Sequence, residues 1–416
     1  MKQLPKKNSV KTFGCRLNLL ESELIEQSLD SSENNILVVN TCAVTNEAEK
    51  QAKQFIRKIS KENPNLKIIA TGCSVQIRPE EWSKMPEVHK IFGNTEKLKV
   101  EIWNDLKNNQ SVLTDIMKVT ETNPFFVQGF KERTRAFLQI QQGCDHRCTF
   151  CIIPFGRGNS RSVDINSVIN NAQKLIDYGH KEIVLTGVDI ASWGKDLQNS
   201  PSLGFLVKNI LKKVIGLKRL RLSSIDPAEI DYDLIDAFSS EDKLMPHLHL
   251  SIQHGNDLIL KRMKRRHLAI DVERFVELAK KNRPGMVIGA DLISGFPTET
   301  KEAHNSSLEL IKNLEICWGH IFPFSPRSGT PASKMPQIDV QVRKNRAKEL
   351  RMECKKIASR WKKNQIGSFA NVLMESEHKG RCEHFSNVKS NVKLSKGSIH
   401  RLKITNIDND YLLGNL

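Results

Sequence analysis

Three cysteines within eight residues are the feature that most restricts the fold of this chain. Cys144, Cys148 and Cys151 form a C-x3-C-x2-C run, and an alternating apolar segment at residues 137–140 predicts a strand directly before it. The run therefore lies in a loop at the carboxyl end of a strand, where α/β folds build their sites. Three thiolates on one metal centre leave a fourth position open. The spacing predicts a metal centre with one vacant coordination position.

Two alternatives to such a centre stay open at the level of spacing. A disulfide between two of these cysteines would need an oxidising compartment, and nothing in the sequence indicates one. A structural zinc ion would need a fourth ligand, which His146 inside the run could supply. Iron and sulfide analysis of anaerobically purified protein separates both alternatives from an iron–sulfur centre.

The charge of the chain favours a polyanionic partner. Its 416 residues include 64 lysines and arginines against 47 acidic residues, a formal net charge of +17. Such an excess is typical of proteins that bind nucleic acid, although a basic enzyme without that partner would show it too. Residues 1–7 lack the apolar stretch of a signal peptide, and no apolar run reaches the length of a membrane span. We therefore expect a cytoplasmic protein with reduced cysteines and no membrane partner.

The first 125 residues alternate between strand-like and helix-like patterns. Apolar runs predict strands at residues 9–13, 36–39, 67–70 and 89–93. The second run is continuous, as expected for a parallel strand covered on both faces. The helix after it begins with Asn46 and Glu49, which fit a capping box with Asn46 as the cap. Residues 1–125 are therefore predicted to form a small doubly wound βα domain.

A second group of cysteines follows the strands of this domain. Cys15 comes after the first predicted strand, Cys42 after the second and Cys73 after the third. Neighbouring parallel strands end along one edge of a sheet, so the three thiols are expected to converge in space. The alternative is that they are small buried apolar residues that happen to lie at strand ends. Their equivalent positions favour a second site with three thiolates.

The sequence segments around these cysteines resemble those of a known family. Residues 11–18 read K-T-F-G-C-R-L-N, residues 40–48 read N-T-C-A-V-T-N-E-A, and residues 71–73 read T-G-C. Together with the run at Cys144, which resembles the radical S-adenosylmethionine (SAM) signature, they resemble the radical SAM methylthiotransferases. The second segment is most similar to the branch that acts on threonylcarbamoyladenosine in tRNA.

The resemblance implies two [4Fe-4S] clusters and SAM as cofactors. One cluster would cleave SAM reductively, and its ligands would be Cys144, Cys148 and Cys151. The auxiliary cluster would carry the sulfur, and its ligands would be Cys15, Cys42 and Cys73. Beyond these ligands we predict no catalytic residue. SAM is expected to contact four residues near strand ends, namely Phe150, Gly187, Asp189 and Ser224. Each of the four also has a structural interpretation, such as a turn, a helix cap or a core position.

Residues 131–365 are predicted to form the central domain. Strand-like runs occur near residues 137–142, 182–186, 219–223, 247–252, 287–293 and 319–324, with helical patterns between them. Six βα units suit the open, partial barrel that the resemblance implies, whereas a complete barrel would need more chain. A basic run at residues 261–267 is either a solvated face or a contact for a phosphate backbone. A basic amphipathic helix at residues 339–363 is expected to link this domain to the next.

The last fifty residues show a strand-like pattern instead of the helical pattern that precedes them. Short alternating segments predict strands at residues 368–373, 386–389 and 401–404, separated by glycine and asparagine turns. Residues 367–416 resemble the small TRAM β-barrel that ends this family and is taken to bind tRNA. The alternative is a β module without an RNA role. Cys317, Cys354 and Cys382 are isolated in the sequence, and we interpret them as structural.

These features predict an α/β enzyme that adds a methylthio group to C2 of N6-threonylcarbamoyladenosine beside the anticodon. Its partners would be a tRNA anticodon stem-loop, a sulfur donor and an electron donor such as flavodoxin or a reductase. The same chemistry on isopentenyladenosine or on a ribosomal protein aspartate is one alternative. An iron–sulfur RNA-binding or electron-transfer protein that does not cleave SAM is an alternative from another class.

Overall fold

A computed structural model describes residues 8–29, 35–104, 106, 110–122, 127, 129, 133–228 and 231–416. The prediction of no signal peptide concerns residues 1–7, which lie outside the described residues. Much of the predicted junction between the first two domains, at residues 123–126, 128 and 130–132, lies outside them too. Within the described residues, no helix is both long and apolar enough to cross a membrane.

The N-terminal domain is built on a parallel sheet. Its strands pair in chain order: β1 (Asn8–Thr12), β2 (Ile36–Thr41), β3 (Lys67–Gly72) and β4 (Lys90–Phe92). The helices are α1 (Arg16–Ser28), α2 (Asn46–Glu62), α3 (Cys73–Ile77), α4 (Pro79–Ser83) and α5 (Val100–Asn104), with 3-10 turns at Glu96–Leu98 and Ile116–Lys118. Ile56 and Trp82 cover one face of the sheet, and Ile25 and Trp103 cover the other. The predicted βα domain is thereby confirmed.

The start of α2 differs from the prediction. Thr45 is the cap, and its side chain accepts a hydrogen bond from the Ala48 backbone N–H at 3.2 Å. The Asn46 side chain instead donates to the Pro326 carbonyl of the central domain, and Arg327 donates to it. The predicted capping role of Asn46 is therefore wrong, because a contact between domains takes its side chain.

The central domain is an open barrel with two parallel sheets. One sheet has the order β5 (Arg135–Gln139), β8 (Glu182–Thr186) and β9 (Arg219–Leu222), and the other β10 (His247–Gln253), β11 (Val287–Ser294) and β12 (Ile316–Pro323). A bridge between Ile225 and Leu250 joins them. The helices of this domain are α6 (Ile153–Arg157), α7 (Ile165–Asp177), α8 (Leu203–Lys213), α9 (Tyr232–Ser240), α10 (Asp257–Arg262), α11 (Ala269–Asn282) and α12 (Lys301–Leu314), with 3-10 turns at Ile190–Ser192 and Pro331–Lys334. The six predicted strands are confirmed.

One small hairpin in this domain was not predicted. β6 (Gln141–Gln142) continues the line of β5 and pairs antiparallel with β7 (Arg161–Ser162). The loop between them carries the C-x3-C-x2-C run. This pairing fixes both ends of the cysteine loop at the carboxyl end of β5.

The C-terminal part begins with the long helix α13 (Val340–Asn364), which packs along β12. In residues 367–416, all of which are described, five strands close into a barrel: β13 (Phe369–Met374), β14 (Lys379–Cys382), β15 (Asn387–Ser390), β16 (Ile399–Asp408) and β17 (Tyr411–Asn415). The predicted small β-barrel is confirmed, and it contains β14 and β17 in addition to the strands expected from the sequence.

The C-terminal barrel covers the end of the central barrel at which the strands begin. The Arg219 guanidinium donates to the Asn371 and Arg381 carbonyls at 2.5 and 3.2 Å. Arg221 donates to the Glu383 carbonyl at 3.1 Å and pairs with Glu182 at 2.9 Å. The opposite end of the central barrel carries the cysteine loop and faces the N-terminal domain.

Candidate functional site

The cysteines of the N-terminal domain meet at one edge of its sheet. Cys15 immediately precedes α1, Cys42 follows β2, and Cys73 is the first residue of α3. Burial, followed by the charges of Cys73 and Cys15, raises the pKa of the Cys42 thiol to about 12. Thiols that influence one another in this way lie within electrostatic range, as the predicted convergence requires.

Two glycines let the chain form this group. Gly14 has a φ of +105°, and a Cβ atom there would lie 2.7 Å from the Cys42 Sγ atom. Gly72 has a φ of +99°, and a Cβ atom there would lie 2.3 Å from the Thr41 carbonyl oxygen. Residues with a side chain would be strained at both positions and would clash. The glycines beside Cys15 and Cys73 are therefore required by the local geometry.

The second group lies in the loop between β6 and α6. Burial, together with Asp189 and then the other two thiols, raises the pKa of Cys144 to about 12. Burial and the charge of Cys148 raise that of Cys151 to about 12. Residues 143 and 144 are held against the β7 side of the loop, since the Cys144 N–H donates to the Gly158 carbonyl at 3.0 Å. The three thiols therefore lie within electrostatic range of one another.

Both groups fit the binding of iron–sulfur clusters. All nine cysteines are free thiols, and six of them form the two groups of three. Soft thiolates are the ligands that iron–sulfur clusters use, and metal binding displaces the thiol protons. Nitrogen donors that stabilise cluster sulfur lie near both groups. Arg157 Nε is 3.2 Å and Asn94 Nδ2 is 3.7 Å from Cys73 Sγ, and Arg265 Nη1 is 3.8 Å from Cys148 Sγ.

The two groups share one wall. Cys73 packs with Ala43 and with Ile152, the residue that follows Cys151. The Asn94 amide donates to the carbonyl of Gly156, at the far end of the cysteine loop. The structure therefore brings the two groups together across the boundary between the domains.

A buried charge network crosses the same boundary. Arg157 lies against Cys73, pairs with both oxygens of Glu21 and donates to Asn18 Oδ1 at 2.6 Å. Lys97 approaches Glu21 at 2.5 Å, and neither side chain is exposed. Burial by itself would raise the pKa of Glu21, but Arg157 and Lys97 lower it to about 2. Glu21 is therefore ionised at neutral pH and holds two cations near the auxiliary cysteines.

Two of the predicted SAM contacts lie beside the second group. The Gln141 side-chain oxygen accepts hydrogen bonds from the N–H groups of Val188 and Asp189, at 3.0 and 2.9 Å. A Cβ atom at Gly187 would lie 3.0 Å from the Gln141 carbonyl oxygen, so this position needs a glycine. Asp189 Oδ2 lies 2.9 Å from His146 Nε2, and Cys144 is close to both. Contact of Gly187 and Asp189 with SAM stays a prediction.

The other two predicted contacts are separated from each other. Phe150 is half-buried and packs edge-on against Phe296, with ring centroids 6.5 Å apart. The Ser224 hydroxyl donates to Asp291 Oδ2 at 3.1 Å, inside the central barrel. Ser224 thus already has a protein partner. The roles of Phe150 and Ser224 toward SAM stay predictions.

The basic run at residues 261–267 is divided by the fold. Lys261, Lys264 and Arg266 are exposed. Arg265 instead pairs with Asp226 at 3.0 Å, and His267 is buried. Only part of the run is therefore available to a phosphate backbone, because its other members face the interior near the second cysteine group.

Sequence reasoning missed most of the polar residues around the cysteines. Glu21 and Lys97 gave no local signal, because their partners are distant in the chain. Asn18 lies inside a segment that resembles the family, but its pairing with Arg157 could not be read from that segment. Only the folded chain shows that these residues form one network.

Comparison with known proteins supports both halves of the site. The family model described as "Radical SAM superfamily" matches residues 138–311, and the model described as "Uncharacterized protein family UPF0004" matches residues 7–93. The fold is similar to that of the radical S-adenosylmethionine methyltransferase TsrM from Kitasatospora setae, with a TM-score of 0.56 over 75% of this chain and 66% of that chain. The sequence identity is 15%, so this likeness concerns the fold alone.

Two curated relatives align over most of their length. The threonylcarbamoyladenosine tRNA methylthiotransferase MtaB of Rickettsia prowazekii is 44% identical over 98% of this chain and 96% of its own. The tRNA-2-methylthio-N(6)-dimethylallyladenosine synthase of Clostridium tetani is 32% identical over 92% of this chain and 89% of its own. Each alignment therefore spans more than nine-tenths of this chain.

Proposed function

The chain belongs to the radical SAM methylthiotransferase family, and we propose that it methylthiolates C2 of N6-threonylcarbamoyladenosine beside the anticodon of tRNA. The adjacency of the two cysteine groups carries the proposal, since Cys73 packs against the residue that follows Cys151. When bound, the clusters and SAM supply reductive SAM cleavage, the sulfur and the methyl group. Proximity of the two centres removes the need for a diffusing intermediate between them.

The residues of the chain have distinct tasks in this proposal. Cys144, Cys148 and Cys151 would hold the cluster that binds SAM, and Gly187 and Asp189, which lie beside the cysteine loop, would contact SAM. Cys15, Cys42 and Cys73 hold the auxiliary cluster. Arg157 donates to Cys73 Sγ, and a hydrogen bond to a cluster sulfur tunes the reduction potential of the cluster.

The choice of substrate rests on the relatives. The relative named for threonylcarbamoyladenosine is 44% identical, whereas the one named for dimethylallyladenosine is 32% identical. The net charge of +17 suits a tRNA anticodon stem-loop, and the C-terminal barrel supplies a further surface for it. The reaction also requires a sulfur donor and a low-potential electron donor such as flavodoxin or a reductase, and we propose that it takes place in the cytoplasm.

Nucleoside analysis tests the substrate. We expect tRNA from a strain that lacks this protein to contain threonylcarbamoyladenosine without its methylthio derivative, and the reconstituted enzyme to restore the derivative. Unchanged methylthiolation in that strain would reject this substrate. A simultaneous loss of methylthiolated isopentenyladenosine would favour the alternative branch.

Substitution of the cysteines tests whether one group serves SAM cleavage and the other serves sulfur transfer. The triple variant Cys15→Ala, Cys42→Ala, Cys73→Ala is expected to lose methylthio transfer but to retain SAM cleavage, measured as 5′-deoxyadenosine. The matched control Cys144→Ala is expected to lose both activities. Loss of SAM cleavage in the triple variant would contradict the assignment. Zinc in place of iron at the second group would support the structural-zinc alternative.

A further inference from the structure

A group of polar side chains, called the chamber below, lies on three strands of the central barrel. Its wall consists of His249 on β10, Asp291 on β11 and His320 on β12. Asp291 Oδ1 lies 3.2 Å from His249 Nε2 and 3.3 Å from His320 Nδ1. Burial by itself would raise the pKa of Asp291, but the two histidines lower it below its ordinary value. The wall is therefore a charged cluster in the interior of a barrel.

A histidine beside this wall has no hydrogen-bond partner. His247, which precedes His249 on β10, is 3% exposed and lacks a partner at both ring nitrogens. Gly289 makes room for both rings, since a Cβ atom there would lie 2.4 Å from His249 Nδ1. Unpaired polar groups in a buried place are costly unless a ligand satisfies them. The chamber is therefore built to receive a polar group.

A cation from the N-terminal domain reaches toward the same chamber. Arg16 follows Cys15 directly, and within the described part of the chain its guanidinium has no hydrogen bond or ion pair. Its charge interacts favourably with that of Asp291 and unfavourably with those of Arg221 and Arg381. These groups are therefore its electrostatic neighbours.

The balance of charge favours an anionic ligand. Arg221 is paired with Glu182 at 2.9 Å, and Arg381 is 3.6 Å from Glu375, whereas Arg16 has no such partner in the described structure. A divalent metal ion held by the His–Asp wall would face these guanidinium groups and be repelled. A carboxylate ligand would pair with Arg16, because a guanidinium binds a carboxylate through charge-assisted hydrogen bonds.

We propose that this chamber binds the threonyl carboxylate of the substrate nucleoside, with Arg16 as the residue that determines specificity. The inference rests on the proposed function and deepens it. Arg16 contacts the carboxylate, while the wall of His249, Asp291 and His320 hydrogen-bonds the neighbouring amide or hydroxyl group. The position of Arg16 beside Cys15 places this contact next to the auxiliary cluster, where the adenine must be presented.

The chamber also explains how an apolar modification would be rejected. An isopentenyl group has no polar atom to satisfy Arg16 or the unpaired histidine nitrogens. A site built to hydrogen-bond a substrate discriminates strongly against an analogue that leaves its buried polar groups unpaired. The side chain of His320 is 52% exposed, so the wall is accessible to a ligand.

The variant Arg16→Gln tests the proposal in the holoenzyme. The measurement is the dissociation constant for one tRNA in two forms, with threonylcarbamoyladenosine or with unmodified adenosine beside the anticodon. We expect the preference for the modified form to fall by about 10- to 100-fold, the usual contribution of a hydrogen bond to a charged group. Affinity for the unmodified form and the iron content are expected to stay unchanged. If the role of Arg16 were merely structural, the substitution would lower both of them.

Two further variants complete the experiment. Arg57→Gln removes one exposed positive charge from α2 of the same domain and is expected to keep the preference. His320→Leu lies in the barrel away from the cysteines and is expected to reduce the preference by about threefold to tenfold. If Arg16→Gln loses iron, His320→Leu therefore still tests whether the chamber recognises the modified nucleoside.

The outcomes separate this inference from the proposed function. A wild-type enzyme that methylthiolates the modified tRNA, combined with an unchanged preference in Arg16→Gln and His320→Leu, would overturn the inference alone. A wild-type enzyme that neither prefers nor methylthiolates the modified tRNA would overturn both. Arg16→Lys, which keeps the charge but not the planar fork, is expected to retain part of the preference.

Discussion

Glu21 is the residue on which the contact between the two cysteine groups depends. Its carboxylate is completely buried and accepts hydrogen bonds from Arg157 and Lys97. Burying three charges is favourable only if each of them is compensated, and removing one partner from a buried pair costs about 3–5 kcal/mol. Arg157 in turn contacts Cys73, so the network ties the stability of the domain boundary to the auxiliary site.

This network predicts a dependence of stability on pH. The folded-state pKa of Glu21 is about 2 and its ordinary value is 4.5, so the folded protein binds fewer protons between these values. The corresponding stabilisation, about 3 kcal/mol, is fully present above pH 4.5 and is lost as the pH falls toward 2. Urea unfolding of the wild type between pH 7 and pH 3 measures it.

The variant Glu21→Gln isolates this contribution. It is expected to be less stable than the wild type by about 3–5 kcal/mol at pH 7. The difference should shrink as the pH falls below the ordinary value of 4.5, because the wild type then loses the charge that the variant never had. A difference that stays constant over this range would contradict the role of Glu21. Glu47→Gln, on an exposed part of α2, serves as the control.

At the scale of single residues, the cysteines and their partners differ in how far they could be predicted. Cys144, Cys148 and Cys151 are close in sequence, and their spacing by itself indicates a shared centre. Arg157 and Glu21 are 136 residues apart, and neither has a pattern that points to the other. The pairing of these charges depends on the docking of two domains. It therefore cannot be predicted from the local sequence around either residue.

At the scale of elements, α2 shows how a tertiary contact overrides a local rule. Asn46 and Glu49 satisfy the sequence pattern of a capping box, yet Glu49 pairs with Arg78 at 2.9 Å and with Arg327 at 2.8 Å. Thr45 is left to cap the helix through its hydroxyl oxygen. The helix therefore begins where the sequence predicted, but the residues at its start have exchanged roles.

The exchange can be measured on α2. Thr45→Ala removes the cap and is expected to lower the free energy of unfolding by about 1 kcal/mol. Thr45→Ser keeps a hydroxyl oxygen in the same place and is expected to be nearly neutral. The midpoints of urea unfolding report both effects. Equal destabilisation by alanine and serine would show that the hydroxyl is not the stabilising group.

At the scale of the whole molecule, the central barrel is closed from both ends by other domains. The N-terminal domain brings Arg16 and the auxiliary cysteines to one end. The C-terminal barrel covers the other end, where Phe385 stacks on His247 with ring centroids 4.9 Å apart. An open barrel of six strands thus gains an enclosed interior only when all three parts dock.

The docking of the C-terminal barrel yields a further prediction. Arg219→Met leaves the Asn371 and Arg381 carbonyls without their donor and is expected to cost about 1–3 kcal/mol. Proteolysis between α13 and β13 should become faster, because the barrel is held less firmly. The exposed neighbour Lys218→Met is the matched control and is expected to behave as the wild type. Cleavage of Arg219→Met at the wild-type rate would show that these contacts do not hold the barrel.

The sequence by itself determined the order of strands and helices, the two sets of cysteines and the family. It could do so because apolar periodicity is local and because a C-x3-C-x2-C run needs no distant partner. Tertiary structure alone decided that Cys73 lies against Ile152, that Glu21 holds Arg157, and that Arg16 comes within electrostatic range of Asp291. Each of these contacts joins residues from different domains, and its energy exists only after the domains have excluded water between them.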